Sequence, residues 1–217
     1  MLDITLVSYL NTLPFLHGLS ESGIFGKNEL NIIRDNPANC VRNLLSGKAK
    51  VGLVPVAAIQ EIPGARIITD YCLGAEKRVR SVILAGNIDI KETRTILLDY
   101  QSRTSNKLVK ILCRHHWNIS PDYEETGPGY EDKISGTSSG VIIGDRAMQM
   151  ESKFPFVYDL AFEWNAFTNL PFVFACWVAV GDLAKEEIQK INSALSFGLS
   201  KIDIIANNDR ELLKYLT

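Results

Sequence analysis

Short polar stretches interrupt the apolar runs of this 217-residue chain at points where a strand gives way to a helix. The first is Ser8-Tyr9-Leu10-Asn11-Thr12-Leu13-Pro14-Phe15, which follows Ile4, Leu6 and Val7, a run suited to a buried parallel strand. Pro14 fits a first helical turn, where its missing N–H costs nothing, so Asn11 or Thr12 is the expected N-cap. Free N–H groups at such a helix start, at the positive end of the helix dipole, attract anions. Ser8, Asn11 and Thr12 carry the side chains to complete that receptor, although the same residues also serve as plain caps. A second stretch, Asp99-Tyr100-Gln101-Ser102-Arg103-Thr104-Ser105, repeats the design: it leaves Thr95-Ile96-Leu97-Leu98 and enters a helix from Leu108 to Trp117. Hydroxyls and N–H groups at Ser102, Thr104 and Ser105 suit a carboxylate or a phosphate, or an ordinary hydroxyl-capped helix. Arg80 and Ser81 break the otherwise apolar strand 79–85, and Gly144-Asp145 end the apolar strand Val141-Ile142-Ile143. Asp145 caps the next helix or faces a ligand.

The elements around these stretches alternate. Strands are expected at 30–34, 51–54 and 66–69, with Pro55 turning the chain after Val54 and a helix opening at Asn36-Pro37, with Val41, Leu44 and Leu45 on one face and Gly47 as its stop. Such alternation indicates a parallel α/β sheet, whose ligands bind at the carboxyl ends of the strands. The loop at residues 8–12 and the Val54-Pro55-Val56 turn then share one edge. The pattern starts afresh at Asp89, with strands at 95–98, 141–143 and 156–158 and a short one at Tyr123. The run Leu170 to Val180 is a central strand or crossover, and Ile188, Ile191, Leu195, Leu199, Ile202 and Ile205 trace one amphipathic helix. Two α/β lobes around a ligand cleft follow from this reading: residues 1–85 with a return segment 173–217, and residues 86–172.

Composition fits an ordinary globular protein, with 46% hydrophobic and 22% charged residues. A net charge of −2 offers no basic field to nucleic acid or to an anionic membrane. No apolar run reaches the ~18 residues of a membrane span, and the N-terminus passes into strand sequence without a leader pattern, so a cytoplasmic location is expected. Cys40, Cys72, Cys113 and Cys176 lack the spacing of a zinc knuckle or redox motif and read as reduced, mostly buried thiols. His115-His116 diverge on a Lys- and Arg-rich helix. No metal is expected, and without a glycine-rich dinucleotide loop no organic cofactor either.

Four motifs in order, Ser8-Tyr9-Leu10-Asn11-Thr12-Leu13-Pro14, Ser102-Arg103-Thr104-Ser105, Ile143-Gly144-Asp145-Arg146-Ala147 and Leu170-Pro171-Phe172-Val173-Phe174-Ala175-Cys176-Trp177, resemble the chorismate dehydratases of the futalosine route to menaquinone. The resemblance implies a fold like type II periplasmic binding proteins and conversion of chorismate to 3-[(1-carboxyvinyl)oxy]benzoate with loss of water. It also implies active-site roles for Asn11 and Ser81, a ligand-binding pair in Thr104 and Ser105, and a further helical segment after Thr217. Ser8, Thr12, Pro55, Ser102, Gly144 and Asp145 complete the expected substrate contacts. None of the motif-matched residues is a good base near neutral pH, so the expected proton acceptor is the enolpyruvyl carboxylate of chorismate itself. A solute carrier for a small carboxylate shares the implied fold. The neighbouring enzyme that makes 1,4-dihydroxy-6-naphthoate also resembles it but relies on a histidine, where this chain has Gly144-Asp145.

Overall fold

A computed structural model describes residues 1–217 and divides the chain into two compact units, Met1–Leu73 with Ala175–Thr217, and Gly74–Phe174. In the first, strand β1 (Leu2–Val7) leads through a 3-10 turn (Leu10–Thr12) into α1 (Leu13–Glu21). Strand β2 (Leu30–Asp35), helix α2 (Pro37–Leu45), β3 (Val51–Pro55) and β4 (Arg66–Ala75) follow. The second contains β5 (Val82–Gly86), β6 (Thr95–Leu98), α3 (Thr104–His115), β7 (Asp122–Glu125) and β8 (Ser138–Ile143). It continues through α4 (Asp145–Met150), β9 (Phe156–Asp159) and α5 (Leu160–Thr168). Strand β10 (Phe172–Ala179) returns the chain to the first unit, which ends with α6 (Lys185–Leu199), α7 (Ile202–Ala206) and α8 (Arg210–Leu216).

Each unit is built on a five-stranded sheet. The first has the order β2-β1-β3-β10-β4, with β1 parallel to both β2 and β3 and β10 antiparallel to β3. The second has the order β7-β6-β8-β5-β9, parallel from β7 to β8, with β5 antiparallel to β8 and β9. Ile4, Leu6, Leu53, Val54, Trp177 and Val178 are buried in the first core, and Ile83, Leu97, Tyr130 and Ile142 in the second. The α/β class is the one the strand and helix alternation implied, but the sheets are mixed where a parallel sheet was expected, because β10 in the first and β5 in the second run antiparallel to their neighbours. No helix is long and apolar enough to cross a membrane.

Helix α1 lies directly against α6, and two glycines permit it. A Cβ on Gly18 would fall 1.9 Å from the Ala194 carbonyl oxygen, and one on Gly198 would fall 1.8 Å from that of Pro14. Only backbones without side chains approach so closely. Phe15 meets Trp177 edge-on at 5.8 Å beneath this contact.

Several expectations need correction. The first lobe does not extend to residue 85: β5 pairs with β8 and β9 in the second sheet, so residues 74–85, Ser81 among them, belong to the second unit. The strand expected over 79–85 begins only at Val82, because Arg80 takes a positive φ of 60°. Helix α3 starts at Thr104, earlier than Leu108, and the single C-terminal helix is interrupted between Leu199 and Ile202. Leu45 ends α2 on its solvent side and is 53% exposed, whereas Val41 and Leu44 are buried. Asp145 is the first residue of α4, and the cap position is held by Gly144.

Candidate functional site

Because β1 and β3 are parallel, the loop after Val7 and the turn after Pro55 emerge at the same sheet edge, as the sequence pattern required. In that loop Ser8 is exposed and its N–H donates to the Asp35 carbonyl at 3.0 Å, while Pro55 is buried. Thr12 occupies the cap position of α1 but does not cap it: its hydroxyl donates back to the Val7 carbonyl at 2.8 Å and lies 2.8 Å from that of Tyr9. With its side chain buried and its proton committed to the loop, Thr12 shapes the turn from behind in place of the ligand contact expected of it. Asn11 is different. Its Oδ1 is buried and accepts no hydrogen bond, an arrangement that costs on the order of 1–3 kcal/mol unless a donor is supplied. His17, one turn further on, stacks against Phe197 at 6.1 Å and belongs to the α1–α6 packing.

In the second unit, the loop between β6 and α3 carries Ser102, Thr104 and Ser105, all buried. Ser102 lies one residue before the cap position, Arg103, and its hydroxyl oxygen accepts the Ser105 N–H at 3.0 Å. The Thr104 hydroxyl donates to the Phe174 carbonyl at 3.2 Å. The loop is held by Asp99, whose side chain is fully buried. Its carboxylate accepts from Arg146 Nη2 at 2.7 Å, from the Gln101 N–H at 2.8 Å and from the Tyr130 hydroxyl at 3.0 Å. Its carbonyl accepts from the Ser102 N–H and from Asn106 Nδ2. Burial and the neighbouring Asp99 charge hold the Tyr130 phenol well above its ordinary pKa, so it stays a donor. Arg146 also pairs with Glu131 and lies over the Tyr100 ring at 5.2 Å. The hydroxyls of this loop are legible by residue type, whereas the acid and the arginine that fix it lie far apart in sequence and meet only in the fold.

Ser81 is 2% exposed and sits at the entrance to β5. Its carbonyl accepts the Gly144 N–H at 2.8 Å. Gly144 adopts φ 66°, ψ −152°, a conformation essentially confined to glycine, so its role is a backbone corner that joins the end of β8 to Ser81. Asp145 follows, half-buried, in a short helix of six residues. Glu163, the other carboxylate near the motifs, is occupied by His116 Nε2 at 3.0 Å and Trp117 Nε1 at 3.3 Å. No three His, Cys, Asp or Glu side chains gather as a metal-binding group.

The first unit thus presents a buried, unpartnered amide oxygen. The second presents a helix start rich in hydroxyls and a rigidly held serine. Known proteins share this framework. The crystal structure of a protein from Archaeoglobus fulgidus superimposes with a TM-score of 0.71 at 12% identity, covering 99% of this chain and 80% of that one. The periplasmic aliphatic sulphonate binding protein of Escherichia coli matches with a TM-score of 0.57 at 15% identity over 99% of this chain and 76% of its own. At such identities the likeness establishes the fold, that of the periplasmic binding proteins. A chorismate dehydratase of Thermus thermophilus is 26% identical over 225 aligned positions, which cover 94% of this chain and 80% of that enzyme. The family described as menaquinone biosynthesis matches residues 2–213, nearly the whole sequence, and the chain belongs to that family.

Proposed function

We propose that the protein is a chorismate dehydratase, a hydro-lyase that converts chorismate to 3-[(1-carboxyvinyl)oxy]benzoate and water. The observation that carries this reading is the buried Asn11 Oδ1 without a donor, in the loop at the carboxyl edge of a parallel sheet. The Thermus thermophilus relative supports the choice of reaction. Chorismate carries two separated carboxylates and a ring hydroxyl. The chain offers polar groups suited to such a ligand without a net positive field, among them Asn11, Ser8, Ser81, Thr104 and Ser105.

In the proposed reaction the C3 hydrogen leaves as a proton, its bonding pair forms a ring double bond, and the C4–O bond breaks. The departing hydroxide takes up a proton to become water, and the ring becomes aromatic. The driving force therefore lies in the substrate, and the protein has to select this elimination over others. The enolpyruvyl carboxylate of chorismate takes the C3 proton; its modest basicity is offset by the effective molarity of a fixed position. His17 in its stack on Phe197 and Glu163 in its pair with His116 are engaged elsewhere, which supports the same assignment. Asn11, whose amide both donates and accepts, orients the carboxylate or the leaving hydroxyl.

Incubating the purified protein with chorismate and following the aromatic enol ether by mass spectrometry tests the reaction. Formation of the product is expected. Binding of chorismate without turnover would make the protein a carrier of small carboxylates instead. Single-turnover rates of His17→Gln, Asp145→Asn and Glu163→Gln test the proton acceptor. A thousandfold loss in a folded variant that still binds chorismate would identify a protein base and reject the substrate-assisted route.

A further inference from the structure

Ser81 is held in place by a carboxylate that lies 78 residues further along the chain. The Ser81 N–H donates to the Val79 carbonyl at 2.7 Å, closing a γ-turn around Arg80. With φ at 60°, Arg80 gives this turn its uncommon, strained form, which a non-glycine residue adopts only when its surroundings enforce it. Asp159, 7% exposed at the end of β9, provides the enforcement. Its Oδ2 accepts the Val79 N–H at 3.0 Å and the Arg80 N–H at 2.7 Å. Its Oδ1 caps α5 by accepting the N–H groups of Ala161 and Phe162, each at 3.1 Å. One carboxylate thus ties the strained turn before Ser81 to the start of a helix, and Gly144 fixes Ser81 from its carbonyl side.

We infer that Asp159 is a positioning residue: through Oδ2 it locks the turn at Arg80 so that the Ser81 hydroxyl is presented in a single orientation to the substrate. A cap alone requires one oxygen, and Oδ1 already provides it. The second oxygen, spent on two N–H groups from a strand entrance remote in sequence, is what the capping role leaves unexplained. The claim rests on the assignment of Ser81 to the reaction, and its consequence is specific. Loosening the turn should cost kcat while leaving substrate affinity in place, because the hydroxyl remains present but no longer pre-oriented.

The test is Asp159→Asn, which retains one oxygen for the α5 cap and replaces the other by an NH₂ group that cannot accept. Expected are a kcat for chorismate at least tenfold lower, a KM changed less than threefold, and amide exchange at Val79 and Arg80 at least tenfold faster while Ala161 and Phe162 change less. In a Ser81→Ala background, Asp159→Asn should produce no further loss of kcat. A kcat within twofold of wild type, the same loss in both backgrounds, or unchanged exchange at Arg80 would overturn the inference. Should Asp159→Asn fail to fold, Arg80→Gly measured against Arg80→Ala replaces it. Glycine takes the positive φ without strain and alanine does not, so alanine should be the slower of the two, and a glycine variant slower than the alanine one would overturn the lock. If the wild-type protein does not turn over chorismate, the dehydratase reading falls, and exchange at Arg80 alone then upholds or overturns the lock.

Discussion

The two units solve the same problem, holding a polar loop at a strand end, by different means. In the first, the 8–12 loop is tied by neutral bonds such as the Thr12 hydroxyl turned onto backbone carbonyls and the Ser8 N–H onto that of Asp35, and it leaves the Asn11 oxygen buried without a partner. In the second, the loops at 79–81 and 99–106 are each gathered around a buried carboxylate, Asp159 and Asp99. A carboxylate that collects several N–H groups, as Asp159 does, or a guanidinium, a phenol and an N–H, as Asp99 does, holds its loop more rigidly than a hydroxyl, since charge-assisted bonds are about twice as strong. The difference lies in how the loops are tied, neutral bonds in the first unit and buried carboxylates in the second, and not in the unpartnered amide oxygen, since Asn106 Oδ1 in the second is also buried without a donor.

The largest effect expected across the two units is at Asn11. Asn11→Asp places a negative charge where the proposed substrate brings two more, and kcat/KM should fall by at least about 10³-fold, some 4 kcal/mol of transition-state stabilisation. Activity within a few-fold of wild type would reduce Asn11 to a loop residue. Next comes the second unit's helix start. Thr104→Ala combined with Ser105→Ala removes two contacts of roughly 1.5 kcal/mol or more each, raising the chorismate Kd on the order of a hundredfold by calorimetry. An unchanged Kd would reject the pair as ligands.

The two ways of tying a loop can be weighed by stability. Asp99→Ala strands Arg146 and Tyr130 and should cost about 3 kcal/mol, a Tm drop on the order of 10 °C. Thr12→Val removes one neutral bond and should cost about 1 kcal/mol, a drop of roughly 3 °C. Equal losses in a thermal scan would erase the distinction between the units. The smallest effect concerns a property the units share. Burial pushes the thiols of Cys40 in the first unit and Cys113 in the second up to about 11, whereas Cys72 is exposed. At pH 8 the buried pair is held as unreactive thiol, so iodoacetamide should label Cys72 first in the folded protein, checked by peptide mass spectrometry.

What the sequence revealed follows from what is local. β1, Pro14 and the Asn36-Pro37 start read correctly because strand character and helix entry are written in consecutive residues, and Asn36 caps α2 as its side chain predicts. The boundary at residue 85 misled because Val82 to Ala85 is apolar enough for either sheet, and only pairing with β8 and β9, formed by later residues, assigns it. Nothing in Val79-Arg80-Ser81 announces a positive φ at an arginine; the cause, Asp159, is far away in the chain. Asp99 was visible beside Ser102, but its weight comes from Arg146 and Tyr130, which approach it only in the folded state. Residues able to touch a ligand advertise themselves by type and position, and the residues that hold them do not.

The glycine contact between α1 and α6 also bears on the order in which the protein is made. The helix that follows Asn11 packs backbone to backbone on residues 194 and 198, and the sheet beneath it lacks β10 until residue 179 is present. The second unit is one continuous segment, so all its strands and helices are available to one another before residues 175–217 are made. During translation residues 74–174 can therefore assemble as they emerge, while the loop at 8–12, made before them, waits for residues 194 and 198, made after them, before its supporting helix finds its seat.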